Sequence, residues 1–197
     1  MKLSNALSLL RIVLTFVVMG LLFLPGLPVK LICLALFLVA SLTDWLDGYL
    51  ARRLHQVTPL GALLDPIADK VLVLGLLLAF VQLRLIPAWM LLVVLIRELL
   101  ITGVRFYALG RHIVIPAAKE GKHKTVSQIL TIFLILVLLV VQEADLTERA
   151  ASQVQVWLEP VILISMSVTV ALTIYSGATF FWRNRSVFLD GSGGASS

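Results

Sequence analysis

Six apolar stretches recur along this 197-residue chain, at roughly residues 5–24, 30–53, 58–82, 86–109, 123–142 and 155–182, set apart by prolines and charges. About 20 apolar residues in a helix span the hydrocarbon of a bilayer. Backbone groups in hydrocarbon have no water to bond, so only helices and closed barrels satisfy them there. The chain is 60% hydrophobic and 14% charged, with a mean hydropathy of +1.04, beyond what a soluble domain carries. The reading is therefore all-α: a polytopic membrane protein of six transmembrane helices, with a soluble globular fold excluded. No internal repeat or second domain stands out, so residues 1–185 read as a single six-helix transmembrane domain and the Gly/Ser-rich residues 186–197 as a flexible tail.

Lys2 ahead of an apolar run could suggest a signal peptide, but Arg11 interrupts that run and no small-residue cleavage site follows, which favours a retained first span. The lone cysteine, Cys33, lies in an apolar run and reads as packing. With the N-terminus inside, the inner segments hold Lys2, Arg52, Arg53, Arg105, Arg111, Lys119, Lys122, Lys124, Arg183 and Arg185. The outer loops hold Lys30, Arg84 and Arg149 beside Glu143, Asp145 and Glu148. The positive-inside rule then places both termini in the cytoplasm, and the lack of a transit segment favours a bacterial inner membrane.

The purely apolar parts of three helices, residues 31–42, 71–81 and 86–96, fall well short of a full span. The missing length is polar and, in this topology, always cytoplasmic: residues 44–53, 58–70 and 97–105. The expected bundle encloses a polar cavity that faces the cytoplasm.

Two of these polar halves carry four aspartates. At about 100° per helical residue, Asp44, Asp47, Gly48, Ala51 and Arg52 share a stripe of about 140°. In the next helix Thr58 and Pro59 read as N-cap and first-turn proline. Gly61, Asp65 and Asp69 follow at i, i+4 and i+8, with a bend expected at Pro66. A hairpin of the two helices would bring both faces together. Like charges about 4 Å apart repel by roughly 4 kcal/mol even at an effective dielectric near 20, so positive charge or bound protons must offset them. Lys70 and Arg52 could neutralise part of the charge. Carboxylates without His or Cys suit hard divalent ions such as Mg²⁺, Mn²⁺ or Ca²⁺, and two of them would balance the count. Ordinary ion pairing is the competing account, but intramembrane carboxylates on matched faces are usually functional.

The spacing D-x₂-DG-x₂-AR-x₈-G-x₃-D-x₃-D, here Asp44, Asp47, Gly48, Ala51, Arg52, Gly61, Asp65 and Asp69, resembles the signature of the CDP-alcohol phosphotransferase family at every fixed position. That family also has six membrane helices. The resemblance implies that Asp44, Asp47 and Asp65 bind divalent ions, two Mg²⁺ or Mn²⁺, and the diphosphate of a CDP-linked lipid. It implies that Asp69 is the general base and also touches metal. Gly48 and Ala51 leave room for a nucleotide against the helix. Arg52 would meet a phosphate or a neighbouring carboxylate, and Gly61 and Thr58 are plausible nucleotide neighbours. The histidines, His55, His112 and His123, are not needed by this chemistry and read as surface residues.

The stretch 96–128 adds Arg97, Arg105, Arg111, Lys119, Lys122 and Lys124, a basic series that suits an acceptor carrying its own phosphate. Topology and anionic head groups are the alternative account of the loop lysines. "RELLITGVR" followed by "GKHKTVSQ", with Asn5 and Arg11 near the start, is similar to the glycerol-phosphate branch of the family. The resemblance implies transfer of a phosphatidyl group from CDP-diacylglycerol to sn-glycerol 3-phosphate, releasing CMP. It further implies a homodimer in contact with membrane lipid, with no nucleic acid as partner. Two rivals stay open: another acceptor in the same family (inositol phosphate, inositol or serine), and a cation- or proton-coupled transporter using the aspartates as a relay.

Overall fold

The computed structural model describes residues 3–54, 59–110, 120–144 and 148–185, and within them the backbone alone at 3–5, 7, 44–54, 59–66, 69, 109, 120–122, 148–155 and 159. His55, His112 and the tail 186–197 lie outside the described residues. These residues form α1 (Leu3–Leu21), α2 (Leu27–Leu54), α3 (Pro59–Gln82), α4 (Ala88–Gly110), α5 (Glu120–Glu143) and α6 (Glu148–Arg183), with no strand among them. His123–Glu143 and Val156–Arg183 are long and apolar enough to cross a membrane. Ser8–Leu21, Leu27–Thr43 and Lys70–Gln82 are shorter apolar segments. Phe16, Leu99 and Ile164 are each more than half exposed, an apolar exterior that suits lipid rather than water.

At the end remote from the aspartates, local chemistry closes the helices. Gly26 takes φ 109°, which glycine adopts without strain, and its carbonyl accepts from the amides of Val29 (3.1 Å) and Lys30 (3.2 Å) as α2 begins. Pro28 occupies the first turn, where its missing N–H is no loss. Lys30 is not a loop charge, as the sequence suggested. It lies within α2, 6% exposed, with Nζ donating to the carbonyls of Leu22 (2.7 Å) and Leu24 (3.0 Å) beyond the end of α1. The Gly26 amide donates to Glu143 Oε2 at 2.9 Å, tying the same turn to α5. α3 ends in a Schellman motif: Arg84 sits at φ 59°, its amide bonds Val81 O, and the Leu85 amide bonds Phe80 O, each at 2.9 Å.

α1 packs most extensively on α3 and α5 on α6. Gly75 makes the first contact possible, since a Cβ there would lie 3.0 Å from both Met19 Sδ and Thr15 Cγ2. The core between the helices is built from residues such as Phe37, Leu76, Phe80, Ile132, Ile135 and Met166. Along α5 and α6, Thr169 hydrogen-bonds Ser127 (2.6 Å) and Thr131 (2.9 Å), hydroxyl pairs that hold two helices where no water competes. α1 and α5 each pack on both α2 and α3. Among the described residues these two flanking helices, more than a simple α2–α3 hairpin, set where the aspartate-bearing helices stand.

Most boundaries shift by up to three residues, and two of the shifts matter. α5 starts at Glu120 rather than at the expected 123, which brings Lys122 into its first turn beside Lys124. α6 starts at Glu148, because "ERAASQVQ" propagates a helix without being apolar. At 1.5 Å per residue its 36 residues run about 54 Å, well beyond the roughly 30 Å of hydrocarbon. α3 runs unbroken through Pro66.

Candidate active site

The backbone register places the four aspartate positions. In α2, Cys33, Phe37 and Ala40 form a buried stripe, and positions 44, 47 and 51 continue it at helical spacing. In α3, Leu72, Val73, Leu76 and Phe80 are buried, and positions 69 and 65 extend that stripe in the opposite chain direction. Both sets therefore prolong core-facing lines of their helices. Gly48, Arg52 and Gly61 fall in the same two segments. Thr58, Arg111 and Lys119 lie outside the described residues, and Asn5 and Lys122 are placed on α1 and α5 by backbone alone.

Arg11 belongs to the same end of the bundle. Its side chain is 1% exposed and its Nε donates to Ala40 O at 3.3 Å, one helical turn before Asp44. The sequence marked Arg11 by its place in the N-terminal run but gave it no role. Its burial against α2 is a tertiary fact.

The basic residues divide between helices. Lys124, 5% exposed on α5, forms an ion pair with Glu98 Oε1 of α4, which is itself 9% exposed. This overturns the reading of Lys124 as a loop lysine held only by topology or head groups. A buried carboxylate draws it into the bundle, because neither charge is tolerable there alone. Arg97 Nη1 donates to the same Oε1 at 3.2 Å and its Nη2 to Ser176 Oγ of α6 at 2.5 Å. Arg105 is exposed at the α4–α6 edge, its guanidinium carbon 5.9 Å from the Phe180 ring centroid. His123 is exposed and Cys33 is buried in the core, as read from the sequence.

Three further residues complete the cluster. Lys70, next to Asp69, donates to Thr102 Oγ1, which ties α3 to α4 beside the site. Glu98 and Thr102 stand at i and i+4 on α4, and Lys124 and Gln128 at i and i+4 on α5. Those spacings were the available signal for Thr102 and Gln128. A small gap of about 10 Å³ is lined by Lys70, Val73, Leu74, Glu98, Lys124 and Gln128. Buried Arg97 Nε and Gln128 Nε2 have no hydrogen-bond partner among the described residues.

Among the described residues no three His, Cys, Asp or Glu side chains come together, so the candidate divalent-cation ligands remain the four aspartates. As a donor set of carboxylates alone, they fit hard cations. The backbone puts the aspartate positions on α2 and α3, and the cluster of Arg97, Glu98 and Lys124 joins α4 to α5 and α6.

Residues 1–175 match the family model described as CDP-alcohol phosphatidyltransferase. The CDP-diacylglycerol–glycerol-3-phosphate 3-phosphatidyltransferase of Bacillus subtilis (strain 168) is 39% identical over 149 residues, 76% of this chain and 71% of the relative. The enzyme of the same name from Wigglesworthia glossinidia brevipalpis is 34% identical over 143 residues, 69% of this chain and 77% of the relative. A probable phosphatidylglycerophosphate synthase of Mycobacterium tuberculosis (strain ATCC 25618 / H37Rv) is 39% identical over 134 residues, covering 66% and 64%. With the aspartate spacing and the all-helical fold already in hand, the match across most of its length means that this chain belongs to the CDP-alcohol phosphatidyltransferase family.

Proposed function

We propose that this protein transfers the phosphatidyl group of CDP-diacylglycerol to sn-glycerol 3-phosphate, giving phosphatidylglycerophosphate and CMP. The observation that carries the proposal is the juxtaposition of two unlike sites. Aspartate positions prolong the core stripes of α2 and α3, and a cation cluster lies between α4, α5 and α6, joined to α3 through Lys70. The names of the relatives support the same pair of substrates.

In this reading Asp44, Asp47, Asp65 and Asp69 would hold divalent cations, two Mg²⁺ or Mn²⁺, which when bound supply charge neutralisation to the diphosphate. Gly48, Ala51 and Gly61 leave space for the nucleotide, with Arg52, Thr58 and Asn5 beside it. Asp69 takes the proton of the acceptor hydroxyl. The freed oxygen attacks the β-phosphorus, and the bond from that phosphorus to CMP breaks. Arg97, Arg105, Arg111, Lys119, Lys122 and Lys124 attract and orient the acceptor's phosphate, Arg by its planar fork and Lys as a point charge.

The same reading makes all six helices membrane spans, with both termini cytoplasmic and the polar halves of α2, α3 and α4 on that side. Its support is the asymmetry of Lys and Arg and the short apolar lengths of these helices. Residues 1–185 then form one catalytic domain that draws its lipid laterally from the inner leaflet and its acceptor from the cytosol. A homodimer is carried over from family resemblance.

An acceptor panel tests the assignment. Purified protein with CDP-diacylglycerol and Mg²⁺ or Mn²⁺ is expected to release CMP with sn-glycerol 3-phosphate. CMP release only with inositol phosphate, inositol or serine would reassign the acceptor, and no release with any of them would remove the enzymatic reading.

A further inference from the structure

Glu98 is more than a neutraliser of Lys124. One of its oxygens, Oε1, takes both Arg97 Nη1 and Lys124 Nζ, so two cations converge on one carboxylate. Beside it, donor capacity is unused: Arg97 Nε and Gln128 Nε2 are buried without a partner among the described residues. Buried donors without a partner are costly, so each is expected to meet water or a ligand. The gap that Gln128 lines together with Glu98 and Lys124 holds about 10 Å³, which is room for about one water. A phosphate therefore cannot enter unless a lining group gives way. Among the described residues the lining group of matching charge, already seated on the same cations, is the Glu98 carboxylate.

We propose that Glu98 is a built-in counter-anion of the acceptor site, holding Arg97 and Lys124 until the acceptor's phosphate displaces it. The proposal rests on the acceptor-phosphate reading above. Once Glu98 swings aside, Arg97 offers Nη1 to a phosphate oxygen as a charge-assisted donor. Lys124 adds a point charge one helical turn from the amide of Gln128. Arg97 Nη2 stays anchored on Ser176, so the guanidinium need not reorient. Competition between carboxylate and phosphate weakens ground-state acceptor binding, and Glu98 thereby sets affinity as a positioning residue without touching the reacting atoms.

The test uses the full-length enzyme in detergent or nanodiscs, with inorganic phosphate as the probe. Its inhibition constant against glycerol 3-phosphate is measured together with KM for both substrates. Glu98→Gln removes the competing charge and is expected to tighten phosphate inhibition and lower the acceptor KM, each about tenfold, with the KM for CDP-diacylglycerol unchanged. Glu98→Asp, which keeps the charge but shortens the side chain, should shift both constants less than Glu98→Gln does. Gln128→Leu leaves the ion pairs intact and is expected to weaken phosphate inhibition several-fold, which keeps the proposal testable should Glu98→Gln fail to fold. Unchanged or weaker phosphate inhibition in Glu98→Gln, or an unaffected Gln128→Leu, overturns the role of Glu98 while leaving the acceptor assignment standing. A parent enzyme that uses glycerol 3-phosphate without phosphate competing for it overturns the acceptor-phosphate site itself.

Discussion

Both ends of this bundle bury charge, and they use it differently. At the end remote from the aspartates, Lys30 spends its ammonium on two main-chain carbonyls and Glu143 takes a main-chain amide, so each charge completes a helix end. At the other end Glu98, Lys124 and Arg97 bind side chains, and Arg97 Nε and Gln128 Nε2 have no partner among the described residues. A buried charge consumed by backbone is structure. A cluster with donors to spare fits the proposed acceptor-phosphate site. The contrast separates two groups that composition alone makes look alike.

Substitutions can break that contrast or sharpen it. The largest effect is expected from Asp69→Asn, which removes the proposed base: kcat should fall by about 10²–10⁴ while binding of CDP-diacylglycerol, followed by equilibrium titration, is retained. Arg105→Ala comes next. Loss of a charge-assisted contact of about 1.5–3 kcal/mol should raise the acceptor KM at least tenfold, against a change under twofold for the CDP-lipid. Equal shifts in both constants would deny Arg105 an acceptor role.

Lys30→Met probes the opposite end. It leaves the carbonyls of Leu22 and Leu24 without their donor and should lower stability by about 1–3 kcal/mol, read as a lower thermal midpoint in detergent, with both KM values unchanged. A selective change in acceptor KM would break the contrast. The smallest effect belongs to Arg84→Gly, at φ 59° in the Schellman turn. Relief of the left-handed backbone, less the extra freedom of glycine in the unfolded chain, should raise stability by about 0.5–1 kcal/mol in the same assay.

Much of the fold was legible because helix formation in lipid is a local problem. Apolar lengths and proline or charged breaks located all six helices, and the largest miss was the polar start "ERAASQVQ", where polarity hid a sound helical propensity. The aspartates were legible for a similar reason: periodicity within one helix is a property of spacing. Arg11, Lys30 and Lys124 were harder. Each is charged, and each looked like an interruption or a loop residue until the packed chain supplied Ala40 O, the carbonyls just beyond α1, or Glu98.

By itself, the order of residues determined an all-helical chain with an apolar exterior and one acidic stripe on each of two successive helices, because a helix satisfies its own backbone and repeats every 3.6 residues. Tertiary structure alone decided which cations meet which carboxylate. It made α1 and α5 the common neighbours of α2 and α3, and it brought Glu98 of α4 to Lys124 of α5 and Ser176 of α6 to Arg97. Those pairings join residues 26 and 79 positions apart, and no spacing rule reaches across such separations. They depend on how closely helices approach, as where Gly75 admits Thr15 and Met19, and that is settled only when all six pack together.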